Sequence, residues 1–308
     1  MSGAPGASEA RPGDGTAGAA HDGWDHPGLT GRQAAALSRA HPGASITADH
    51  SWPFGITVLE FTAGGGRFIV KAGETSHHLV REHRAHRAWL AALRGDVAPL
   101  VSYDAGAGVL VTRYLPGRIA LGTPSALDPD AYRQAGALLR RLHAGNPSGP
   151  APSDAYEATA ARRTRAWLDR AGGLAPSGHL AAADAWLRGF VPAPVAVVPT
   201  HGDFQPRNWL VRPDGRLALI DFGRADLRPW YTDLVRLEHQ ELVGRGDLRA
   251  ALLEGYGPAA GVPRGGLVLE HLMQSLGTIV WARDMGDAAF EEQGRTMLER
   301  TVGGLPPG

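Results

Sequence analysis

Residues 200–210 read THGDFQPRNWL, and residues 219–223 read LIDFG. The Pro-Asp-Gly sequence at residues 213–215 is typical of a tight turn, so the β-prone runs on either side are predicted to pair as an antiparallel hairpin. Asn208 begins the first strand of this hairpin and Asp221 ends the second. Because the strands are antiparallel neighbours, these two side chains are expected at the same end of the hairpin.

Asp203 lies on the loop that enters the hairpin, so a third oxygen donor is expected at the same mouth. A carboxylate and an amide oxygen are ligands that Mg²⁺ accepts while it keeps positions for water and phosphate oxygens. This chemistry predicts a magnesium site at Asn208 and Asp221. The remaining carboxylate, Asp203, can then accept a proton from an attacking hydroxyl. Taken singly, each of the three is equally typical of turns and strand ends.

The spacing Asp-x-x-x-x-Asn followed by Asp-Phe-Gly matches the phosphoryl-transfer motifs of protein kinases. Such a site also needs a lysine on the third strand of a β-rich lobe and a glutamate on the next helix. RFIVK provides Lys71 at the end of a predicted strand, and VREHRAHRAWL provides Glu82 in the next predicted helix. Both lie far from the motif in sequence and so support it independently. They are predicted to pair and to position nucleotide phosphates.

The remaining pattern predicts an α+β, bilobal, protein-kinase-like fold with no internal repeat. Strands are predicted at residues 45–52, 55–61, 67–71, 98–104 and 108–115. Helices are predicted at residues 29–40, 79–93, 131–144, 155–171, 178–190 and through most of 229–304. This order divides the chain into a nucleotide-binding lobe at residues 29–115 and a catalytic and substrate-binding lobe at residues 116–308, with the hairpin between them.

Composition narrows the class of protein. Residues 1–28 are mostly Gly, Ala, Pro and Asp with one aromatic side chain, so they are predicted to form a disordered tail. The chain has no cysteine, and its 31 basic residues balance 31 acidic ones, which gives no chain-wide field to attract nucleic acid or a membrane. No signal peptide or membrane-spanning run is evident. We therefore expect a cytoplasmic monomer or homodimer that meets a small molecule at a local site.

HGDFQPRNWLV followed by ALIDFG resembles the HGDxxxxN and IDxx motifs of the aminoglycoside phosphotransferase and choline-kinase-like small-molecule kinases. LVTRYLPG is similar to the hinge of that family, and LLRRLHA to the helix that ends in a Leu-His pair. The resemblance runs from about residue 29 to the C-terminus. It implies that Asp203 is the catalytic base, that Asn208 and Asp221 hold Mg²⁺, and that ATP or GTP is the co-substrate.

The same resemblance implies further roles. Lys71 and Glu82 would form the phosphate-positioning pair, and the backbone from Thr112 to Tyr114 would meet the purine. Asp233, in WYTDLVRLE, would take a structural role. The chain also departs from the family. Gln205 stands where family members commonly have His or Lys, which weakens any phosphate contact there. The loop HSWPFG has a single glycine, so phosphate cover would come from other groups such as Ser51 or backbone amides.

Several histidines and glycines have competing interpretations. Helical spacing puts His83 and His86 on one side of a helix, yet no His-Glu-x-x-His pattern accompanies them, so a zinc site is disfavoured. His201 is expected to bond the backbone near the motif rather than to act as a base. The glycines at 64–66 neither precede a helix nor carry a Lys-Ser/Thr sequence, so a hairpin turn is favoured over a phosphate loop.

The acceptor is expected between the catalytic loop and the C-terminal helices, where Trp230 is placed to touch it. The acidic candidates in this region are Asp226, Glu238, Glu241, Asp284, Asp287, Glu291 and Glu292. An acidic pocket would suit a polyamine such as an aminoglycoside, whereas the same carboxylates fit a solvated helix face equally well. Phosphorylation of an aminoglycoside or other antibiotic, giving resistance, is the leading prediction. A kinase of a sugar, choline or homoserine, or a nucleotide-binding pseudokinase, is the alternative.

Overall fold

The computed structural model describes residues 21–51, 56–74, 77–146, 148–258 and 261–305. Its N-terminal lobe is a six-stranded antiparallel sheet in the order β1-β2-β3-β4-β6-β5. The strands are β1 (His21–Asp22), β2 (Ser45–Asp49), β3 (Thr57–Ala63), β4 (Gly66–Ala72), β5 (Leu100–Asp104) and β6 (Val109–Arg113). Two helices accompany the sheet: α1 (Gly31–Ala40) and α2 (His77–Ala88). The five predicted strands are therefore present, and one strand was not predicted.

Local sequence explains how this lobe is assembled. Thr30 and Gln33 form a reciprocal capping box that starts α1. Gly64 and Gly65 take positive φ angles of 53° and 75° between β3 and β4, so the glycine run makes the predicted hairpin turn. The helix predicted over residues 79–93 ends earlier, and a separate 3₁₀ turn follows it at Leu90–Leu93.

The prediction of a disordered tail through residue 28 is wrong for residues 21–28. The backbone of β1 pairs with β2, and the amide of Gly23 donates to the Ala44 carbonyl over 3.0 Å. Trp24 is only 5% exposed and packs edge-on against Phe61, with 4.7 Å between ring centroids. A single buried tryptophan thus anchors this segment to the sheet, and residues 1–20 lie outside the described residues.

The C-terminal lobe is mainly helical, as predicted. Its helices are α3 (Pro129–His143), α4 (Tyr156–Arg170), α5 (Ser177–Gly189), α6 (Val235–His239), α7 (Gly246–Tyr256), α8 (Arg264–Met285) and α9 (Ala288–Gly303). Its strands are β7 (Arg118–Ile119), β8 (Ala151–Ser153), β9 (Val195–Thr200), β10 (Trp209–Val211), β11 (Leu217–Leu219) and β12 (Asp226–Arg228). Three of these strands, β7, β8 and β12, were not predicted, because two or three residues show no periodicity.

Helix α3 packs against the hairpin formed by β10 and β11. Tyr132 of α3 is fully buried and packs edge-on against Trp209 of β10, with 5.0 Å between ring centroids. On its other side α3 lies close to α7, because two glycines allow the backbones to approach. A Cβ atom on Gly136 would stand 2.1 Å from the Leu252 carbonyl oxygen, and one on Gly255 would stand 1.9 Å from the Arg133 carbonyl oxygen. This packing fixes the floor of the cleft.

A second apolar cluster, formed by α4, α5, α8 and α9, lies beyond this floor. With 22 residues, α8 is the longest described helix. Within the described part of the chain, neither it nor any other helix combines the length and apolar content needed to cross a bilayer.

Candidate active site

The hairpin predicted from the Pro-Asp-Gly turn is present and sets the geometry of the site. Strands β10 and β11 pair with Trp209 opposite Leu219, and the amide of Ile220 donates to the Asn208 carbonyl over 3.1 Å. Asn208 itself ends a 3₁₀ turn rather than beginning the strand. Asp221 lies two residues beyond β11. The register nevertheless brings Asn208 and Asp221 to the same end of the hairpin, as the sequence predicted.

Asp221 has a strained backbone. Its φ angle is 64°, and it is the one non-glycine residue with positive φ among the described residues. This left-handed conformation is costly for residues with a side chain and is concentrated at functional sites. It projects a carboxylate that is 48% exposed, although glycine would fit this backbone without strain. We interpret an aspartate at this position as a candidate functional residue.

Lys71 and Glu82 form the predicted ion pair, and Asp221 joins it. The Lys71 ammonium lies 2.7 Å from Glu82 Oε2 and 2.9 Å from Asp221 Oδ1. Burial by itself lowers the pKa of Lys71, but the Asp221 and Glu82 carboxylates outweigh burial and raise that pKa. The amine therefore stays charged at any physiological pH. This contact also joins β4 of the N-terminal lobe to the hairpin of the C-terminal lobe.

Asp203 is buried in a dense set of donors. Arg207 donates to both of its carboxylate oxygens, over 3.0 Å and 2.7 Å, and Gln205 donates to Oδ1 over 2.6 Å. Arg236 Nη1 lies 3.4 Å from the same Oδ1. Burial raises the pKa of Asp203, but Arg236, Arg207 and the nearby Arg224 more than reverse this and hold it well below its usual range. Asp203 is thus an ionised carboxylate.

Asn208 is oriented by Asp203. Its amide nitrogen donates to the Asp203 backbone carbonyl over 2.8 Å and to Asp203 Oδ2 over 3.1 Å. Because both donated bonds come from the nitrogen, the amide oxygen is the atom left to bind a cation. Together with the exposed Asp221 carboxylate, it makes a pair of hard oxygen donors, which fits Mg²⁺ shared with nucleotide phosphates. The predicted ligands therefore have the right chemistry for that ion and lie at the same end of the hairpin.

Asp233 anchors the loop that carries Asp203. Its carboxylate accepts from the amide of His201 over 2.8 Å and from the amide of Gly202 over 2.6 Å. It also contacts His143 Nε2 over 3.1 Å, and the other ring nitrogen of His143 contacts the Tyr256 hydroxyl over 2.8 Å. The structural role predicted for Asp233 is thus visible as a buried network. It links the catalytic loop to α3 and α7.

The predicted hinge is part of the sheet. Thr112 is buried within β6. The amide of Arg113 donates to the Pro99 carbonyl over 2.9 Å, and the amide of Tyr114 donates to the Arg67 carbonyl over 3.0 Å. These two amides are therefore already used and are not free to contact a purine. Its binding role stays a prediction.

The remaining predicted groups take structural contacts. His201 Nε2 contacts the Ile220 carbonyl over 3.0 Å, as expected of a structural histidine. Ser51 Oγ accepts from the Val58 amide over 2.9 Å, and the adjoining residues 52–55 lie outside the described chain. His83 stacks on Tyr103, with ring centroids 4.3 Å apart. In the ranges that the structure describes, no three His, Asp or Glu side chains are grouped as a metal cage.

Six of the seven acidic residues proposed for an acidic pocket are engaged elsewhere. Asp287 caps α9 by accepting from the Phe290 amide over 2.9 Å. The others pair with basic side chains: Asp226 with Arg84, Glu238 with His271 and Arg249, Asp284 with Arg170, Glu291 with Arg283 and Arg295, and Glu292 with Arg295. These residues therefore do not form the acidic pocket that a polyamine requires.

Glu241 is the exception. Its Oε2 atom is buried and has no hydrogen-bond partner among the described residues. Burial raises its pKa to about 7, even though Arg207 and Arg236 lie close enough to oppose the shift. Sequence reasoning named Glu241 only as one acidic candidate among several. It missed Arg207 and Arg236 altogether, although Arg207 lies inside the quoted motif and Arg236 three residues beyond Asp233.

A cavity of about 360 Å³ lies beside α6. Trp230, Leu234, Glu238 and Leu253 are among the residues that line it. Leu234 and Glu238 are four residues apart and share one helix face, whereas Arg236 lies on the opposite face toward Asp203. The cavity is therefore a side pocket behind the arginine rather than the mouth of the site itself.

Known proteins share this arrangement of elements. Residues 57–267, more than half of the chain, match the model of a family described as the phosphotransferase enzyme family. A comparison with curated protein sequences returned no match.

Solved structures superpose over nearly their whole length. A macrolide 2'-phosphotransferase from Brachybacterium faecium matches with a TM-score of 0.59 and 19% identity, covering 85% of this chain and 95% of that one. A choline kinase from Streptococcus pneumoniae gives 0.62 and 14%, covering 88% and 97%. A spectinomycin phosphotransferase in complex with ADP and spectinomycin gives 0.59 and 12%, covering 91% and 99%. At these identities the likeness shows the fold, which is protein-kinase-like, as predicted.

Proposed function

Because the chain belongs to the phosphotransferase enzyme family, we propose that it transfers the γ-phosphoryl group of ATP or GTP to a hydroxyl of a small molecule, with Mg²⁺. One observation carries this proposal. Lys71 bridges Glu82 and Asp221, so a lysine from one lobe meets a metal-ligand carboxylate from the other. Asp203 stands at the same mouth through its bonds to Asn208. Phosphoryl transfer needs these groups together, since its catalysis is mostly positioning and electrostatic stabilisation.

On the nucleotide side, Lys71 would bind α- and β-phosphate oxygens. Glu82 is buried and holds the Lys71 ammonium through two contacts, which fixes the position of that charge before the nucleotide arrives. Asn208 and Asp221 would hold Mg²⁺. When bound, Mg²⁺ supplies positive charge that offsets the charge of the phosphate oxygens.

On the acceptor side, Asp203 would accept a hydrogen bond from the substrate hydroxyl and aim its oxygen at the γ-phosphorus. The new bond joins that oxygen to phosphorus as the bond to the β–γ bridging oxygen breaks, and the nucleoside diphosphate leaves. The hydroxyl proton passes to Asp203 and then to solvent. Since Arg236 and Arg207 keep the pKa of Asp203 low, its main contribution is orientation, with proton acceptance late in the step.

The likeness to enzymes whose names specify macrolides, spectinomycin or choline supports testing an antibiotic hydroxyl first and a metabolite second. Aminoglycoside phosphotransferases are also among the solved structures with this fold, so an aminoglycoside acceptor, and with it antibiotic resistance, is a candidate as well. The pairing of six acidic candidates removes the electrostatic argument for a polycation. The family and the site geometry support the reaction type, whereas the acceptor has to be identified by assay.

The test is release of nucleoside diphosphate with Mg²⁺ and ATP or GTP, measured across macrolides, aminoglycosides, spectinomycin, choline, homoserine and sugars. Asp203→Asn serves as the control variant. Turnover on one class of acceptor, lost in this variant, would support the proposal. Tight binding of Mg²⁺–nucleotide with equal background hydrolysis in both proteins for every acceptor would favour the pseudokinase alternative.

A further inference from the structure

The acceptor side of Asp203 carries an excess of positive charge. Arg207 donates to both Asp203 oxygens, and Arg236 lies 3.4 Å from one of them. Arg224 is exposed and close enough to lower the pKa of the same carboxylate. Two guanidinium groups thus contact one carboxylate, and a third is close enough to influence its charge. Glu241, a further carboxyl close to Arg207 and Arg236, has a pKa raised to about 7 and so only partly offsets these arginines at neutral pH.

Arg236 is the most buried member of this group, and its contact with Asp203 is longer than that of Arg207. Its side chain is only 14% exposed, and the 3.4 Å contact with Asp203 is its one ion pair among the described residues, with no hydrogen bond there. The pKa of Arg236 is lowered to about 10. Burial is the main cause, and Arg224, Arg207 and Arg228 add to it, whereas Asp203 opposes it. A buried charge normally has good partners, because desolvation is costly. The buried Arg236 guanidinium therefore has room for a closer anionic partner than the Asp203 carboxylate provides.

Asp203 does not need this second arginine. Gln205, Arg207 and Asn208 already supply hydrogen bonds of 2.6 to 3.1 Å to its two oxygens. A looser contact from Arg236 adds little to positioning that is already complete. Its planar group, with several donors, is the usual choice for binding a carboxylate or phosphate.

Arg236 and the predicted metal ligands lie on different sides of Asp203. Asp203 Oδ2 faces Asn208, on the side of the metal ligands, whereas Oδ1 faces Gln205 and Arg236. Arg236 comes from α6 of the C-terminal lobe, whereas Lys71 comes from β4 of the other lobe. Arg236 therefore lies on the Oδ1 side of Asp203, away from the Asn208 contact, and we expect the acceptor to approach from this side.

We propose that the acceptor of this chain carries an anionic group, a carboxylate or a phosphate, that binds Arg236 and Arg207 while its hydroxyl binds Asp203. The inference rests on the proposed function and specifies the substrate class of the same site. An anion that replaces part of the arginine–Asp203 contacts also frees Asp203 to take the hydroxyl. Conversely, polycationic acceptors are repelled by the same guanidinium groups.

The first test is steady-state kinetics with matched hydroxyl compounds: hydroxy acids and sugar phosphates against the corresponding neutral alcohols, sugars and amino alcohols. We expect anionic acceptors to be preferred, and the two anionic sets show whether carboxylate or phosphate is bound. Arg236→Gln should raise KM for the anionic acceptor about tenfold or more, since charge-assisted hydrogen bonds are lost, with KM for ATP within about twofold. Arg236→Lys should recover part of that loss.

Arg170→Gln is the matched control, because Arg170 is an exposed arginine paired with Asp284 on the lobe surface. It should leave every acceptor KM unchanged. Preference for neutral or cationic acceptors would overturn the inference while leaving phosphotransfer intact. A KM for ATP that rises as much as the acceptor KM in Arg236→Gln would also overturn it, by assigning the arginine to the nucleotide.

A second test needs no turnover. The melting temperature is measured with Mg²⁺ and a non-hydrolysable ATP analogue, which covers the γ-phosphate position, before and after addition of inorganic phosphate or lactate. We expect at least one anion to stabilise the wild-type chain and Arg170→Gln, but not Arg236→Gln. Absence of stabilisation, or equal stabilisation in Arg236→Gln, would contradict the inference even if no acceptor is turned over. Failure of the nucleotide analogue itself to bind would instead count against the proposed function.

Discussion

On the nucleotide side of the cleft one cation, Lys71, is shared by two carboxylates, whereas on the acceptor side one carboxylate, Asp203, is shared by two arginines. The first arrangement leaves a net negative charge, which Mg²⁺ would neutralise. The second arrangement leaves a net positive charge, which an anion would neutralise. The two halves of one mouth are therefore electrostatic opposites, and each indicates a different missing partner.

Replacing Asp203 should have the largest effect, because it should reduce turnover while leaving nucleotide affinity nearly unchanged. Asp203→Asn removes the proton acceptor and weakens the orientation of the hydroxyl, so kcat should fall by about a thousandfold or more. The affinity for Mg²⁺–nucleotide should stay within about threefold, because Lys71, Glu82 and Asp221 are untouched. Turnover assays and calorimetric titration measure the two quantities. Loss of both together would mean that the halves are not separable.

Replacing Asp221 should affect the opposite half. Asp221→Ala removes one metal ligand and one partner of Lys71, so the affinity for Mg²⁺–ADP should fall about tenfold or more. The dependence of ADP binding on Mg²⁺ concentration should weaken as well. Calorimetric titration with and without Mg²⁺ tests this. An unchanged Mg²⁺ dependence would show that Asp221 is not a metal ligand.

Asp233 supports both halves through the catalytic loop, and its loss should show in stability. Asp233→Asn leaves the buried His201 and Gly202 amides with a weaker acceptor, so the free energy of unfolding should drop by about 2 kcal/mol. Burial raises the pKa of Asp233, but bonds from His143 and the loop amides hold it below its usual range. Its contribution is therefore present above about pH 4 and is lost as pH falls below that.

Denaturant titrations at several pH values measure this contribution. The stability difference between wild type and Asp233→Asn should shrink as the pH drops from 5 to 3. A difference that stays constant over that range would show that the ionised carboxylate is not what stabilises the loop.

Glu241 should give the smallest effect, with the opposite pH dependence. Its folded-state pKa of about 7 exceeds the usual glutamate value of 4.5, so the folded chain favours the protonated form. The chain therefore loses stability as the pH rises from 4.5 to 7. Glu241→Gln should remove this loss, and its melting temperature should exceed that of wild type at pH 8 but not at pH 4. Glu292→Gln, an exposed carboxylate, is the control. Equal shifts at both pH values would contradict the assignment.

The nucleotide half could be predicted from sequence because short-range spacing encodes it. A tight turn fixes Asn208 and Asp221 at one end of the hairpin with little help from the rest of the chain, and the Asp-x-x-x-x-Asn spacing places Asp203 of the other half beside them. Lys71 and Glu82 follow from their positions at a strand end and on the next helix. What the spacing does not show is the left-handed backbone of Asp221, which depends on packing around the hairpin.

The acceptor half could not be predicted in the same way. Arg236 lies on a five-residue helix that is too short for periodicity to show which face meets the site. The pairing of the acidic candidates depends on partners that are distant in sequence, such as Arg84 with Asp226 and Arg170 with Asp284. Trp24 was missed for a related reason. A single aromatic in a glycine-rich stretch gives no pattern, although its burial orders that segment.

The most direct measurement follows the γ-phosphorus of ATP by ³¹P NMR in the presence of Mg²⁺ and a set of hydroxylated acceptors. We expect its signal to move into a phosphomonoester of one acceptor, ADP to appear at the same rate, and Asp203→Asn to abolish both changes. Conversion to inorganic phosphate alone, at equal rates in the wild type and Asp203→Asn, would contradict transfer to a hydroxyl positioned by Asp203.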